Sequence, residues 1–118
     1  MTPERAIVKA ILAYLNDLPH GLARKRWGGG MGVAGDPDID ACVGGRCVQF
    51  EVKRPGQNPT ALQLTRLEEW RKAGAVVGVV RSVEDARQIL EHHLPHLRAD
   101  GGEQKNTLPL RIPDAECS

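Results

Sequence analysis

The chain has 118 residues, of which 41% are hydrophobic and 26% charged, and its formal net charge is +1. These values predict one small globular domain of ordinary composition. They exclude a strongly basic protein, although local basic runs still allow a nucleic-acid partner. Two tryptophans, one tyrosine and one phenylalanine are too few for an extended base-stacking platform.

The first apolar run is interrupted by Lys9 and is too short to cross a bilayer, so we expect no membrane partner and no signal peptide. The three cysteines are an odd number, and a zinc site would need further ligands at suitable spacing. Reduced cysteines are typical of cytosolic proteins. We therefore expect a cytoplasmic protein.

Residues 2–18 have the pattern of an amphipathic helix. Thr2 offers a capping hydroxyl, Pro3 suits the first helical position, and Glu4 is an acid in the first turn. Such an acid compensates the helix dipole, and Glu4 also projects along the edge of the apolar face. The apolar face comprises Ile7, Ala10, Ile11, Tyr14, Leu15 and Leu18.

Residues 20–34 combine a basic run, Arg24, Lys25 and Arg26, with a series of glycines. The glycines at positions 30, 32 and 35 have the spacing of a dinucleotide fingerprint. That fingerprint needs a strand before it and a helix after it, and this stretch offers neither. We interpret the stretch as a loop or irregular strand, either plainly solvated or able to approach a phosphate backbone.

Residues 35–53 are predicted to form a β-hairpin. The pair Gly44 and Gly45 is a strong signal for a two-residue hairpin loop, and both flanks carry alternating β-branched and small apolar residues. With these glycines as the loop, counting outward places Asp38 directly opposite Glu51. Lys53 lies two residues further and shares the face of Glu51. The opposite face supplies the buried side of the strand, with Val48, Phe50 and Val52.

Two carboxylates that face each other across a hairpin repel, because their Cβ atoms are about 5 Å apart. A divalent cation between Asp38 and Glu51 would remove that repulsion. Mg²⁺ is a hard ion that proteins hold with one or two carboxylates, water and substrate phosphate. The sequence therefore predicts a cation site at the end of the hairpin remote from its turn.

A second helix is predicted over residues 60–73. Asn58, which precedes a proline, is the better N-cap, and it leaves Gln63 in the first turn facing the hairpin. With Thr60 as the cap, Gln63 would instead be an ordinary capping-box partner. The predicted core stripe of this helix is Ala61, Leu64, Leu67 and Trp70.

The run from Ala75 to Val80 is almost entirely β-branched, which is typical of a strand buried on both faces. A right-handed crossover would set it parallel to the strand that carries Glu51. Ser82 then caps a third helix that ends near Leu94. Histidines at that end suit the helix dipole, and we do not interpret them as metal ligands.

We expect a single domain over residues 1–98. From residue 99 to 118 the chain is polar, with scattered prolines, and we expect a loosely held tail or an arm that packs on a partner.

The order and spacing of the hairpin residues resemble a known family. Gly35-Asp36-Pro37-Asp38, then Glu51-Val52-Lys53, then Gln63 on a following helix is similar to the VRR-NUC (virus-type replication-repair nuclease) family of the PD-(D/E)XK nuclease superfamily. The likeness runs from the first helix to about Leu94. It implies an α/β fold with a restriction-endonuclease-like core, a small mixed β-sheet flanked by helices.

The resemblance also implies a metal-dependent site. Asp38, Glu51 and the backbone carbonyl of Val52 would hold Mg²⁺ or Mn²⁺, and Lys53 would orient or help to deprotonate a water. Asp36 and Asp40 are the less favoured ligands.

Two further catalytic positions follow from the resemblance. Glu4 matches an acid on the first helix of the family and would complete a second metal position, and Gln63 matches a glutamine at the family's active site. Candidates for binding the DNA backbone are Arg24, Lys25, Arg26, Arg54 and Arg66.

Stand-alone members of this family are structure-selective DNA nucleases, and some act as homodimers on four-way junctions. The resemblance therefore implies a dimeric endonuclease that acts on branched DNA such as Holliday junctions, of bacterial or phage origin. The alternative is a non-catalytic DNA-binding or complex-assembly module that retains the fold.

Overall fold

A four-stranded mixed β-sheet forms the centre of the fold, with helices on both of its faces. The computed structural model describes residues 3–27 and 32–98. The predicted α/β class, a small mixed sheet flanked by helices, is confirmed. The elements are α1 (Glu4–Asp17), β1 (Gly21–Lys25), β2 (Ile39–Val43), β3 (Arg46–Val52), α2 (Ala61–Lys72), β4 (Val76–Val80), α3 (Val83–His93) and a short 3-10 turn (Pro95–Leu97).

The sheet has the order β1-β2-β3-β4, and only the β3-β4 pair is parallel. Val43 lies opposite Arg46, as a Gly44-Gly45 loop requires. Both glycines have positive φ, 57° and 88°, the backbone geometry of a type I′ turn. The predicted hairpin and the predicted parallel crossover through α2 are therefore confirmed.

The central strand β3 is buried on both faces. Its side chains Val48, Phe50 and Val52 are fully buried in the cluster formed with α1 and α3, as predicted. Gln49 and Glu51 point the other way and are buried as well, because α2 packs on that face. The two polar side chains thus lie inside the protein rather than on its surface.

Strand β4 lies at an edge of the sheet and contacts both α2 and α3, and the prediction that it is buried on both faces holds in part. Its ends, Val76 and Val80, are buried, whereas the three residues between them are half-buried. The helix α2 makes a narrower contact than its sequence indicates: Leu67 is buried, but Leu64 is 50% exposed. β-branched composition therefore marks a strand here without fixing its place in the sheet.

Strand β1 occupies a stretch that the sequence predicted as a loop or irregular strand. Only Ala23 is buried along it, so no hydrophobic alternation marks it. Asn16 of α1 closes the outer edge at this point. Its carboxamide accepts from the N–H of Ala23 at 2.9 Å and donates to the carbonyl of Ala23 at 3.1 Å. The rest of the predicted glycine-rich loop, residues 28–31, lies outside the described residues.

The N-termini of the first two helices differ from prediction. Pro3 is the N-cap of α1 rather than its first helical residue, and Thr2 lies outside the described residues. Thr60, not Asn58, caps α2, and Gln63 completes a capping box with it. The Asn58 side chain instead accepts a hydrogen bond from Arg81 at 3.2 Å. The predicted cap of α3 is correct, because the Ser82 hydroxyl accepts from the N–H of Asp85.

The domain boundary after residue 98 stays a prediction, since the proposed tail at 99–118 lies outside the described residues. Within the described ranges, none of the helices has the length and apolar character needed to cross a membrane.

We predict that Asn16→Ala lowers the free energy of unfolding by about 1–3 kcal/mol, because it leaves the N–H and carbonyl of Ala23 without their partners. It also opens the edge of β1, which favours strand-to-strand association. Chemical denaturation and light scattering measure the two effects. Asp17→Ala, one residue along and exposed, serves as the control, and equal stability of the two variants would contradict the assignment.

Candidate active site

The candidate site lies at the open end of the β2-β3 hairpin. Continuing the observed register by one residue places Asp38 opposite Glu51. The carbonyl of Asp38 accepts from the N–H of Arg26 at 2.7 Å, so this peptide group points to β1 rather than β3. Opposed residues of that kind have Cα atoms about 4.5 Å apart. The two carboxyl groups are therefore held close together by the backbone.

Pro37 ends the hairpin ladder at this point. The same register sets it opposite Val52, and proline has no N–H to donate to a strand partner. The Pro37 carbonyl, which a continued ladder would pair with the N–H of Val52, accepts from the Arg26 guanidinium. The N–H of Val52 donates to Oδ2 of Asp38 at 2.8 Å. A break in the ladder thus fixes the Asp38 carboxylate and leaves the Val52 carbonyl without a strand donor from β2.

Glu51 is a buried acid with an unusual charge state. It is 1% exposed. Burial raises its pKa from the usual 4.5 to about 8, aided by the charge of Asp38 and a hydrogen bond between the two carboxyl groups. The ammonium of Lys53, 3.6 Å from Oε2, opposes this only in part. Glu51 is therefore mostly protonated at neutral pH, and the carboxyl pair holds a proton between its two members.

A divalent cation fits this arrangement. The second oxygen of Glu51, Oε1, is buried and has no hydrogen-bond partner among the described residues. A cation could take the place of the proton and satisfy that oxygen, with Asp38 and the Val52 carbonyl beside it. No group of three or more His, Cys, Asp or Glu side chains within residues 3–27 and 32–98 gathers for metal binding. The two carboxylates that do come together, Asp38 and Glu51, match the one or two with which proteins hold Mg²⁺.

Glu4 lies near the carboxyl pair at the start of α1. Its charge contributes to raising the pKa of Glu51, and its own side chain is exposed. The first turn of α1 thus brings a third carboxylate toward the site without burying it.

Gln63 is held by the α2 cap. Its Oε1 accepts from the N–H of Thr60 at 2.9 Å, and its own N–H donates to the Thr60 hydroxyl at 3.1 Å. Any contact of Gln63 with a substrate would therefore use its amide nitrogen. The capping-box interpretation, which the sequence ranked second, is the correct one for its local contacts.

The segment that carries Asp38 is braced by two arginines that the sequence offered as DNA ligands. Arg26 donates to the carbonyl of Pro37 at 2.8 Å and lies 5.2 Å from the ring centre of Trp70. Arg66 donates to the carbonyl of Ala34 at 3.0 Å. Both guanidinium groups therefore hold the loop in place before they contact anything outside the protein.

Two further contacts tie the same loop to α2. Asp36 accepts a hydrogen bond from the Trp70 indole at 3.2 Å. Gly35 has φ 84°, and a Cβ there would lie 2.7 Å from the Leu62 side chain. A glycine is thus required at this position by both backbone geometry and the close approach of Leu62.

Of the remaining basic candidates, Arg24 and Lys25 are exposed on β1, and Arg54 is half-buried just beyond Lys53. Arg24 pairs with Asp40 in the β1-β2 register, so it lies on the face that carries Asp38. Lys25 points to the opposite face of β1, and Arg54 follows β3, so the three residues lie in separate places around the site.

Gln49 is a site neighbour that the sequence reasoning missed. It is fully buried, its amide nitrogen donates to Oδ1 of Asp40 at 2.6 Å, and its Oε1 has no hydrogen-bond partner among the described residues. It lies two residues before Glu51 and therefore on the same face. Strand alternation places Gln49 on the face of Glu51, but it does not show that α2 buries that face.

Two solved structures share this fold. One is described as a VRR_NUC domain and is 32% identical, with a TM-score of 0.65. The match spans 79% of this chain and 99% of that one. Another is described as a VRR_NUC domain protein and is 18% identical, with a TM-score of 0.66. The match spans 88% of this chain and 98% of that one. The second likeness shows the fold alone, whereas the first extends to the sequence.

No family model matches the sequence, and no curated protein does either.

We predict that, without divalent metal, the stability of the protein falls as pH rises from about 5 to 8. The native state binds more protons than the unfolded chain in this range, because the pKa of Glu51 is about 8 when folded and near 4.5 when unfolded. The expected loss is on the order of 2–4 kcal/mol. Chemical denaturation in EDTA across this range measures it.

Glu51→Gln removes the titrating group and should flatten this pH dependence, with a more stable protein at pH 8. Glu69→Gln, which alters an exposed carboxylate on α2, should keep the slope of the unaltered protein. Equal slopes for Glu51→Gln and the unaltered protein would show that Glu51 is ionised in the native state.

Proposed function

The chain belongs to the VRR-NUC family, and from that premise we propose that it is a divalent-metal-dependent DNA endonuclease. The observation that supports the proposal is the pair of Asp38 and buried Glu51 beside Lys53, in which Oε1 of Glu51 has no hydrogen-bond partner within the part of the chain that the structure describes. Burying an acid with an unsatisfied oxygen lowers the stability of the fold. A cation bound there would offset that cost.

The proposed cation is Mg²⁺ or Mn²⁺, held by Asp38, Glu51 and the carbonyl of Val52. Bound there, it would acidify a water and neutralise charge that develops on the phosphoryl oxygens. Glu4, which already influences Glu51 electrostatically, is the proposed ligand of a second ion. Gln63 would contact the substrate through its amide nitrogen.

Lys53 has the central role among the side chains. Its ammonium lies 3.6 Å from Glu51 and is largely shielded from solvent. From this position it donates hydrogen bonds to the attacking water and offsets negative charge in the transition state. With a cation in place of the shared proton, Glu51 would be ionised, and its ion pair with Lys53 would keep the ammonium oriented.

The DNA backbone is proposed to bind the remaining basic candidates, Arg24, Lys25 and Arg54. Arg24 and Lys25 present their side chains to solvent on β1, and Arg54 lies beyond Lys53. Phosphate contacts of this kind supply affinity and carry little sequence information. Arg26 and Arg66 are proposed to contribute through the loop that they brace.

Branched DNA and a homodimer complete the proposal. One domain of this size holds one candidate site, so concerted cutting of two strands needs two copies related by a two-fold axis. A four-way junction offers two such strands. A monomer in sedimentation that still cuts both strands in concert would contradict this part.

One observation favours a second candidate, a DNA-binding or complex-assembly module without catalysis. The side-chain oxygen of Gln63, Oε1, accepts from the N–H of Thr60 at the α2 cap and is therefore engaged away from the carboxyl pair. This alternative predicts DNA binding without cleavage in any divalent metal.

We expect that Lys53→Ala lowers the cleavage rate by about 100-fold or more, the contribution of a positioned proton-transfer group, while Mg²⁺ binding is retained. Labelled four-way junction, 5′-flap and linear duplex DNA in Mg²⁺, Mn²⁺ or EDTA are the substrates and conditions. Lys72→Ala, an exposed lysine at the end of α2, is the matched control and should cut at the unaltered rate.

Metal-dependent cutting that is lost with Lys53→Ala establishes the nuclease, and the preferred substrate identifies its task. Cleavage that persists at the unaltered rate in Lys53→Ala would exclude the proposed role of Lys53. Binding of branched DNA with no cleavage of any substrate would favour the assembly module.

A further inference from the structure

Trp27 is the most exposed of the large hydrophobic side chains in the described ranges, with 83% of its surface in solvent. The other three aromatic side chains are used inside the fold. Phe50 is fully buried, Tyr14 is half-buried, and Trp70 donates to Asp36 and lies under Arg26. An indole left in water forgoes a large gain from burial, so its exposure calls for a partner outside the domain.

The backbone next to Trp27 is firmly held. The N–H of Arg26 donates to the carbonyl of Asp38 at 2.7 Å, and its guanidinium donates to the carbonyl of Pro37 at 2.8 Å. Trp27 follows directly after these two contacts. The chain that leads into Trp27 is therefore anchored to the backbone of Pro37 and Asp38.

Trp27 and Asp38 line the same pocket, which has a volume of about 120 Å³. Its lining includes apolar side chains, Trp27 and Val33, which is 58% exposed, and two acids, Asp36 and Asp38. Trp27 thus borders the same pocket as Asp38, one of the proposed cation ligands.

The chemistry of this pocket suits a nucleobase better than a protein side chain. A base offers a flat apolar face to an indole and polar edges to carboxylates and backbone groups, and the phosphates that flank it suit the exposed Arg24 and Lys25. Within continuous duplex each face of a base is covered by its neighbours. A face becomes available only where stacking is interrupted, at a branch point, gap or end.

We propose that Trp27 stacks on one unstacked base next to the phosphate at the carboxylate site, and so selects DNA with interrupted stacking over continuous duplex. The inference rests on the proposed function in that it takes DNA as the ligand. It requires no cleavage, because stacking precedes chemistry.

The test measures binding in EDTA, where no cleavage occurs. Two DNAs of matched sequence are used, a four-way junction with 2-aminopurine at the branch point and a continuous duplex with 2-aminopurine at an internal position. Trp27→Ala is compared with Trp27→Phe, which keeps an aromatic face. Leu22→Ala is the matched control, since Leu22 is 55% exposed on β1 but lines a different pocket from Asp38.

Stacking predicts that Trp27→Ala weakens junction binding by roughly 5- to 150-fold, the range for loss of one stacked base. The ratio of junction affinity to duplex affinity falls toward one, and quenching of 2-aminopurine at the branch is lost. Trp27→Phe retains part of the ratio, and Leu22→Ala leaves it unchanged. Thermal unfolding checks that the exposed substitutions do not alter the fold.

The inference is overturned if Trp27→Ala keeps the affinity ratio, or if it weakens junction and duplex by the same factor. Loss of self-association in place of selectivity would also overturn it and assign Trp27 to a protein interface. Selective, Trp27-dependent binding by a protein that cuts nothing in Mg²⁺ or Mn²⁺ would uphold the stacking and overturn the nuclease. Cleavage that keeps its selectivity in Trp27→Ala would uphold the nuclease and overturn the stacking.

Discussion

Two carboxyl groups that the backbone forces together under a helix are the constraint on which the site depends. The two-residue turn of the hairpin sets the register, the register sets Asp38 opposite Glu51, and α2 excludes water from Glu51. Isolated buried charge is costly, so the pair must hold either a proton or a cation. In the absence of metal the proton is favoured, as the pKa of about 8 for Glu51 indicates.

The surrounding structure keeps that pair from relaxing. The ladder stops at Pro37, whose carbonyl accepts from Arg26, and the Asp38 side chain accepts from the N–H of Val52. Arg26 and Arg66 anchor the loop before it from two sides. The loop is therefore a rigid support for the carboxylate, although it contains neither helix nor strand. Rigid placement of this kind is what electrostatic catalysis requires, because the groups need no reorganisation during the reaction.

The hairpin, its register and the parallel crossover were predictable, because a short turn and a β-branched run specify them locally. The strand β1 was not, since a single buried residue, Ala23, gives no alternation. Burial of Gln49 and the bracing role of Arg26 depend on how α2 packs over the sheet, which no local pattern contains. The cap of α2 shows a second limit of prediction from sequence, a choice between two residues that are locally equivalent. Thr60 and Asn58 both suit an N-cap, and the contact of Asn58 with Arg81 settles the choice only in three dimensions.

The most direct test of the cation site is calorimetric titration of Mn²⁺ at pH 6.5 in two buffers of different ionisation enthalpy. Because Glu51 is protonated at this pH, binding between it and Asp38 must release close to one proton per ion. Glu51→Gln should release none and bind far more weakly. Binding without proton release, or binding that is equally tight in Glu51→Gln, would contradict the account.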